Sequence, residues 1–215
     1  MSRPGRLPGD LMKRGVFITF EGPEGAGKST HARLLAGWLK RRGRRVLLTR
    51  EPGGTAIGMK LRRILLDSKP GSMDAVVELL LYEASRAVLV SEVIRPALKA
   101  GKVVILDRFQ DSTWVYQGFA GGMDRKLVER LGRVATGGLE PDRTILLDLP
   151  ARQGLSRVRR PNRMEAKPVS FHEKVRRGYL HLAKRNRKRI RLIRADRPVA
   201  EVQEAVRKAV ANAVR

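Results

Sequence analysis

The chain has no cysteine, three histidines and few aromatic residues, 5% of 215. The first absence excludes a disulfide framework and any thiolate-held metal, and it suits a cytoplasmic protein. His31, His172 and His181 show no metal-ligand spacing and read as surface or helix-face residues. No apolar run approaches the ~18 residues that a membrane-spanning helix needs, so no membrane association is expected. The opening MSRPGRLPGDLMKRG has no apolar core and does not read as a secretory signal; residues 1–14 are expected to form a flexible extension. Acids are scarce as well. Only 21 Asp and Glu face 46 Lys and Arg, a formal net charge of +25, which suggests anionic partners: nucleic acid, acidic lipid or phosphorylated metabolites. The imbalance is concentrated: residues 151–197 hold 17 Lys and Arg against Glu165, Glu173 and Asp196. For the run KRNRKRIR (184–191), a solvated basic surface and weak polyanion binding are both open readings.

Five apolar runs read as short strands: VFITF (16–20), RVLLT (45–49), KVVIL (102–106), RTILLDL (143–149) and RIRLI (189–193). Most are nearly continuous in Val, Ile and Leu, as in strands covered on both faces. Helical patterns occupy 28–42, 55–67, 74–100, 124–137, 151–159, 169–187 and 198–214. This alternation predicts an α/β fold, a parallel five-stranded sheet with helices on both faces, as one domain over 15–215.

Between the first strand and the first helix lies FEGPEGAGKST (20–30). Gly22, Gly25, Gly27, Lys28 and Ser29 satisfy the spacing G-x-x-x-x-G-K-[ST]. Glycines let successive N–H groups turn inward as an anion nest, and the following helix adds its positive end. Gly22, Pro23, Glu24, Gly25, Ala26, Gly27, Lys28, Ser29 and Thr30 are therefore the expected NTP-binding loop. Lys28 would reach the β- and γ-phosphates, and the Ser29 hydroxyl would ligate Mg²⁺.

Three further segments carry chemistry: TREPGG (49–54) with Arg62 beyond it, YEASR (82–86), and VVILDRFQDSTWVYQG (103–118). Tyr82 and Arg86 share a helix face, and Asp107 and Arg108 end a strand, the edge at which open parallel sheets bind ligands. Taken singly, Tyr82 reads as a core aromatic, Arg86 as a helix-surface arginine and Asp107 as a helix cap. Together they suit an aromatic-plus-arginine pocket for a nucleobase and a second phosphate.

In these motifs, with PDRTILLDL (141–149) and in the same order, the chain resembles the thymidylate (dTMP) kinases over roughly residues 16–200. The resemblance implies a P-loop NTPase-like nucleoside monophosphate kinase architecture with a short lid, about 156–167. It implies transfer from ATP to dTMP with Mg²⁺, for dTTP synthesis, by a cytoplasmic homodimer; the apolar segment around 74–94 offers a helix face for the dimer. Glu24 would lie near the sugar 3′-hydroxyl, while Arg108 and Arg62 would hold the acceptor phosphate. Asp107 would organise Mg²⁺, through water or directly, and Arg50 and Glu51 would approach the acceptor and metal region. Tyr82 would stack on thymine with Arg86 on a carbonyl, Thr113 and Gln117 would face the base, Ser112 would bind the acceptor, and Tyr116 would crowd C2′. The loop holds no arginine, so the transition-state cation would come from the lid, SRVRRPNRME (156–165), which offers Arg157, Arg159, Arg160 and Arg163. Arg157 and Arg163 are the favoured pair, and with Lys28, Arg108 and Asp107 they form the expected catalytic set. Tyr82 stands where the family commonly has phenylalanine, Phe109 where tyrosine or histidine is usual, and the lid is several residues short. Two other readings remain at this point: another nucleoside monophosphate kinase, and a basic nucleic-acid-binding protein on a P-loop fold. The lack of an RNP-like or zinc motif counts against the second.

Overall fold

The computed structural model describes residues 14–69 and 71–214. Strands β1 (Phe17–Glu21), β2 (Val46–Arg50), β3 (Val103–Asp107), β4 (Arg143–Asp148) and β5 (Ile190–Arg194) form one parallel sheet in the order β2-β3-β1-β4-β5. Successive side chains leave opposite faces. Ile18, Phe20, Ile105, Ile145 and Leu147 pack with helices α1 (Lys28–Lys40) and α9 (Val199–Val210). Phe17, Val104 and Leu106 meet Leu89, Ile94 and Leu98 on the other side. Burial on both faces explains why these strands read as unbroken apolar runs. The expected extension over 1–14 lies outside the described residues apart from Arg14, which pairs with Asp142 at 2.9 Å.

Helix α2 (Ala56–Asp67) is capped by Thr55, whose side chain accepts from Gly58 N, and α3 (Ala75–Leu89) by Asp74, which accepts from Val76 N. The long helix expected at 74–100 is one rod with a widened turn: α3 passes through a π-helical segment, Val90–Ile94, into α4 (Arg95–Lys99). Pro96 accounts for it, since its ring lacks an N–H and clashes with the carbonyl four residues back.

Three segments differ from expectation, of which α9 simply ends at Val210, short of the expected 214. Residues 110–120 are helical, as α5 (Gln110–Thr113) and a π-helical continuation Trp114–Ala120. Their β-branched, aromatic and glycine content has low intrinsic helix preference. Packing overrides it: Trp114, Val115 and Tyr116 are buried with Val175, Tyr179 and Leu182 of α8 (Val169–Arg185). After α6 (Arg125–Thr136), helix α7 stops at Leu155 (Ala151–Leu155), short of the expected 159. The clustered charges of Arg157, Arg159 and Arg160 and the oncoming Pro161 disfavour another turn.

Because all strands run one way, their C-terminal ends share an edge. The phosphate-loop motif follows β1 there, TREPGG follows β2 and DRF ends β3. The register sets Asp107 level with Phe20 on one side and Arg50 on the other.

Candidate active site

A cleft of about 300 Å³ opens at this edge. Its loop wall is set by backbone conformation: Gly22, Gly25 and Gly27 have φ of 138°, 66° and 84°. A Cβ on Gly22 would lie 2.2 Å from Leu147 O, and one on Gly25 2.0 Å from Gly154 O, so side chains are excluded on steric grounds too. Glu24, Gly25, Gly27, Lys28, Ser29 and Thr30 line the cleft; Gly22, Pro23 and Ala26 form the body of the loop behind them. Lys28 Nζ donates to Pro23 O at 2.7 Å. Burial and the nearby Arg108 push its pKa down to about 8. The Ser29 hydroxyl donates to Asp107 Oδ2.

Arg108 stands at the centre. Its φ of 68° is unusual for a residue with a side chain, and two backbone contacts hold it there. Its own N–H donates to Phe20 O at 2.9 Å, and the next N–H, of Phe109, to Glu21 Oε1 at 2.7 Å. The guanidinium donates to Glu24 Oε2 (2.8 Å), Tyr179 Oη (3.1 Å), Ser112 Oγ (3.2 Å) and Gly22 O (3.3 Å). Tyr116 Oη donates to the other Glu24 oxygen at 2.8 Å. Burial alone raises a carboxyl pKa, but Arg108 and Lys28 overcome it and hold Glu24 at about 2. Beneath this group, Glu21 Oε2 accepts from Ser112 Oγ (2.6 Å) and Tyr179 Oη (3.0 Å).

Arg86 is 2% exposed and nearly saturated. Nε donates to Glu51 (2.8 Å), Nη1 to Glu83 (2.8 Å) and Gln110 (2.6 Å), and Nη2 to Thr113 (3.0 Å). Of the five N–H groups of a guanidinium, one on Nη2 remains. Gln117 Nε2 donates to Glu78 at 2.7 Å, which orients the amide and leaves its carbonyl as an acceptor. Arg62 Nη1 donates to Pro52 O at 2.9 Å. Arg50, Glu51, Arg62, Tyr82, Arg86, Arg108, Ser112, Thr113, Tyr116 and Gln117 all line the one cleft with Glu24 and Asp107.

The two favoured lid arginines part company. Arg157 is exposed and donates to Gly25 O of the loop at 3.2 Å. Arg163 is buried and turned into the fold: Nε donates to Leu65 O at 2.8 Å, and Nη2 lies 2.6 Å from Glu78 Oε2. It thereby braces the carboxylate that orients Gln117. The lid adds Asn162, Met164 and Glu165 to the lining.

Sequence reasoning passed over Tyr179, Glu21, Glu83 and Gln110. Glu21 carried one signal, a carboxylate closing an otherwise apolar strand. Tyr179 carried none, since it falls in an ordinary amphipathic helix.

The family model described as thymidylate kinase matches residues 20–206. Relatives named thymidylate kinase include one from Desulfovibrio desulfuricans, 48% identical over 205 residues, covering 91% of this chain and 94% of the relative. Another, from Gloeobacter violaceus, is 48% identical over 202 residues with the same coverage. Among solved structures, the crystal structure of thymidylate kinase from Ehrlichia chaffeensis matches with a TM-score of 0.76 at 33% identity, over 92% of this chain and 99% of that one. Loop, cleft and kinship agree: the chain belongs to the thymidylate kinase family.

Proposed function

We infer that the cleft transfers the γ-phosphoryl group of ATP to dTMP, giving ADP and dTDP. The observation that carries this is the convergence of TREPGG, YEASR and DRFQDSTWVYQG on one cleft with the phosphate loop. The acceptor phosphate is already anionic near neutral pH, so no strong general base is needed. The task is to bring two anions into line and to stabilise the charge on the transferring group.

Arg108 and Arg62 hold the acceptor phosphate, and Glu24, kept ionised by Arg108, accepts from the sugar 3′-hydroxyl. Tyr116, fixed through Glu24, stands against C2′. Tyr82 stacks on the base. The spare Arg86 N–H donates to a thymine carbonyl and the Gln117 carbonyl accepts from N3–H. Lys28 spans the β- and γ-phosphates, and Arg157, already on the loop, supplies the lid cation. Ser29 and Asp107, a hydroxyl and a carboxylate in contact, are oxygen donors of the kind Mg²⁺ takes and would hold the ion that accompanies ATP. When bound, Mg²⁺ neutralises and orients the phosphates. Glu51 serves chiefly to fix Arg86.

A cytoplasmic homodimer completes the reading. Support for the dimer comes from exposed apolar side chains on neighbouring helices: Ile64 of α2, Val76, Val77 and Leu80 of α3, and Val134, 76% exposed, of α6.

The acceptor panel tests the assignment. dTMP is used best, dUMP less well, and UMP is disfavoured by Tyr116. dCMP falls at least ~10²-fold below dTMP, because cytosine presents a donor to Arg86 and an acceptor to the Gln117 carbonyl. Each mismatch strands a buried polar group at about 1–3 kcal/mol. Equal use of dCMP and dTMP contradicts the assignment. The depressed Lys28 pKa gives a second expectation. kcat/KM for ATP, which reports the free enzyme, declines as pH rises through about 8 while Lys28 loses its proton. Lys28→Arg removes that limb from whatever activity it retains; an unchanged limb in the variant assigns it to another group.

A further inference from the structure

The edge of the sheet opposite the cleft collects the N-terminal ends of all five strands, and with them much of the unexplained positive charge. Lys40, Arg41, Arg42, Arg44 and Arg45 precede β2, one outer strand, and all five are exposed. Lys184, Arg185, Arg187 and Lys188 precede β5, the other outer strand, and are exposed too. Lys99, ahead of β3, lies between them. Four inter-strand gaps of about 4.8 Å set the two groups roughly 19 Å apart.

Part of this charge is structural. Arg189 donates to both oxygens of Asp111 (2.7 and 2.9 Å), Arg143 to Lys188 O at 2.6 Å, and Arg191 to Arg187 O. These contacts fasten the 186–191 segment to the fold and leave neighbouring side chains pointing at solvent. Among the described residues, no carboxylate pairs with Lys40, Arg41, Arg44, Arg185, Arg187 or Lys188.

We propose that this edge is a second functional surface, which binds the phosphate backbone of duplex nucleic acid without reading its sequence. Along one strand, phosphates recur about every 3.4 Å of axis, so roughly 19 Å of edge meets five or six. Single strands are held largely by stacking on aromatic side chains, and among the described residues this edge offers no free ring: Trp38 is half-buried, with Arg42 4.0 Å and Arg207 5.8 Å from its centroid. An anionic bilayer would reward exposed apolar anchors that the two basic turns lack. Since the catalytic cleft lies at the other edge, a bound duplex leaves it open.

The test is fluorescence anisotropy of a labelled 16-base-pair duplex titrated with the full chain between 50 and 300 mM salt. Sequence-independent binding is expected, with a log K against log salt slope of about −5. A fourfold variant, Arg41→Glu, Arg44→Glu, Arg187→Glu and Lys188→Glu, binds at least tenfold more weakly with a shallower slope, while kcat/KM for dTMP stays within twofold. A control with the same charge change at the cleft edge, Arg152→Glu, Arg159→Glu, Arg160→Glu and Arg197→Glu, keeps duplex affinity within about threefold. Saturating ATP and dTMP leave the complex intact. Should the first set lower the melting temperature, the same four positions changed to Gln carry the test. No binding at 50 mM salt, equal losses in both variants, or displacement by the nucleotides overturns the proposal. So does edge-dependent preference for a single strand or for phosphatidylserine vesicles.

Discussion

Arg108→Ala is expected to lower kcat/KM for dTMP by about 10²–10³-fold while ATP binding survives. The guanidinium is the common partner of Glu24, Ser112, Tyr179 and the Gly22 carbonyl. The Arg108–Glu24 pair is partly buried, 18% and 13% exposed, and removing one member of a hydrogen-bonded charge pair withdrawn from solvent costs about 2–5 kcal/mol, much of it from stranding the other member. Here that member is Glu24, which also loses its principal cation. Its carboxyl pKa rises from about 2 toward the ordinary range. Lys28 keeps its contact with Pro23 O and the loop loses only the long contact to Gly22 O, so an ATP titration should shift little. Arg108→Lys keeps the charge but not the forked geometry and should fall between. Near-normal dTMP turnover in Arg108→Ala contradicts the acceptor-site assignment.

The lid arginines give the second large effect, and the two differ in kind. Arg157→Ala should lower kcat by roughly 10³-fold with both KM values changed only a few-fold, as for loss of a transition-state cation in phosphoryl transfer. Arg163→Ala should act on binding and stability instead. It unpairs buried Glu78, releases the lid from Leu65 O, and frees Gln117 to turn. KM for dTMP rises and the melting temperature falls, since breaking a buried ion pair costs about 3–5 kcal/mol. Steady-state kinetics beside thermal unfolding separate the two. A pure kcat loss in Arg163→Ala, with Arg157→Ala near wild type, would reverse the roles.

What the sequence made legible follows from what each residue depends on. The phosphate loop needs glycines for its own backbone, so Gly22, Gly25 and Gly27 announce it locally. The three inner strands are covered on both faces, so apolar runs such as KVVIL found them to within a residue. Residues 110–120 hid their helix because packing against α8 produces it and local preference opposes it. Tyr179 was illegible as a site residue for a similar reason, while Glu21 showed only as a carboxylate closing an apolar strand. Tyr179 touches no loop motif in sequence, and only the fold brings it beside Glu21 of β1 beneath Arg108. Arg163 shows the converse: an arginine in a basic lid looks like a phosphate ligand until Glu78, 85 positions earlier in the chain, is seen beside it.

The central claim is direct phosphoryl transfer from ATP to dTMP in this cleft. The measurement that tests it most directly is ³¹P NMR of the chain with ATP, Mg²⁺ and dTMP. The account predicts that dTDP and ADP accumulate in equal amounts, with little inorganic phosphate. ADP formed alongside inorganic phosphate, with dTMP left unchanged, would contradict it.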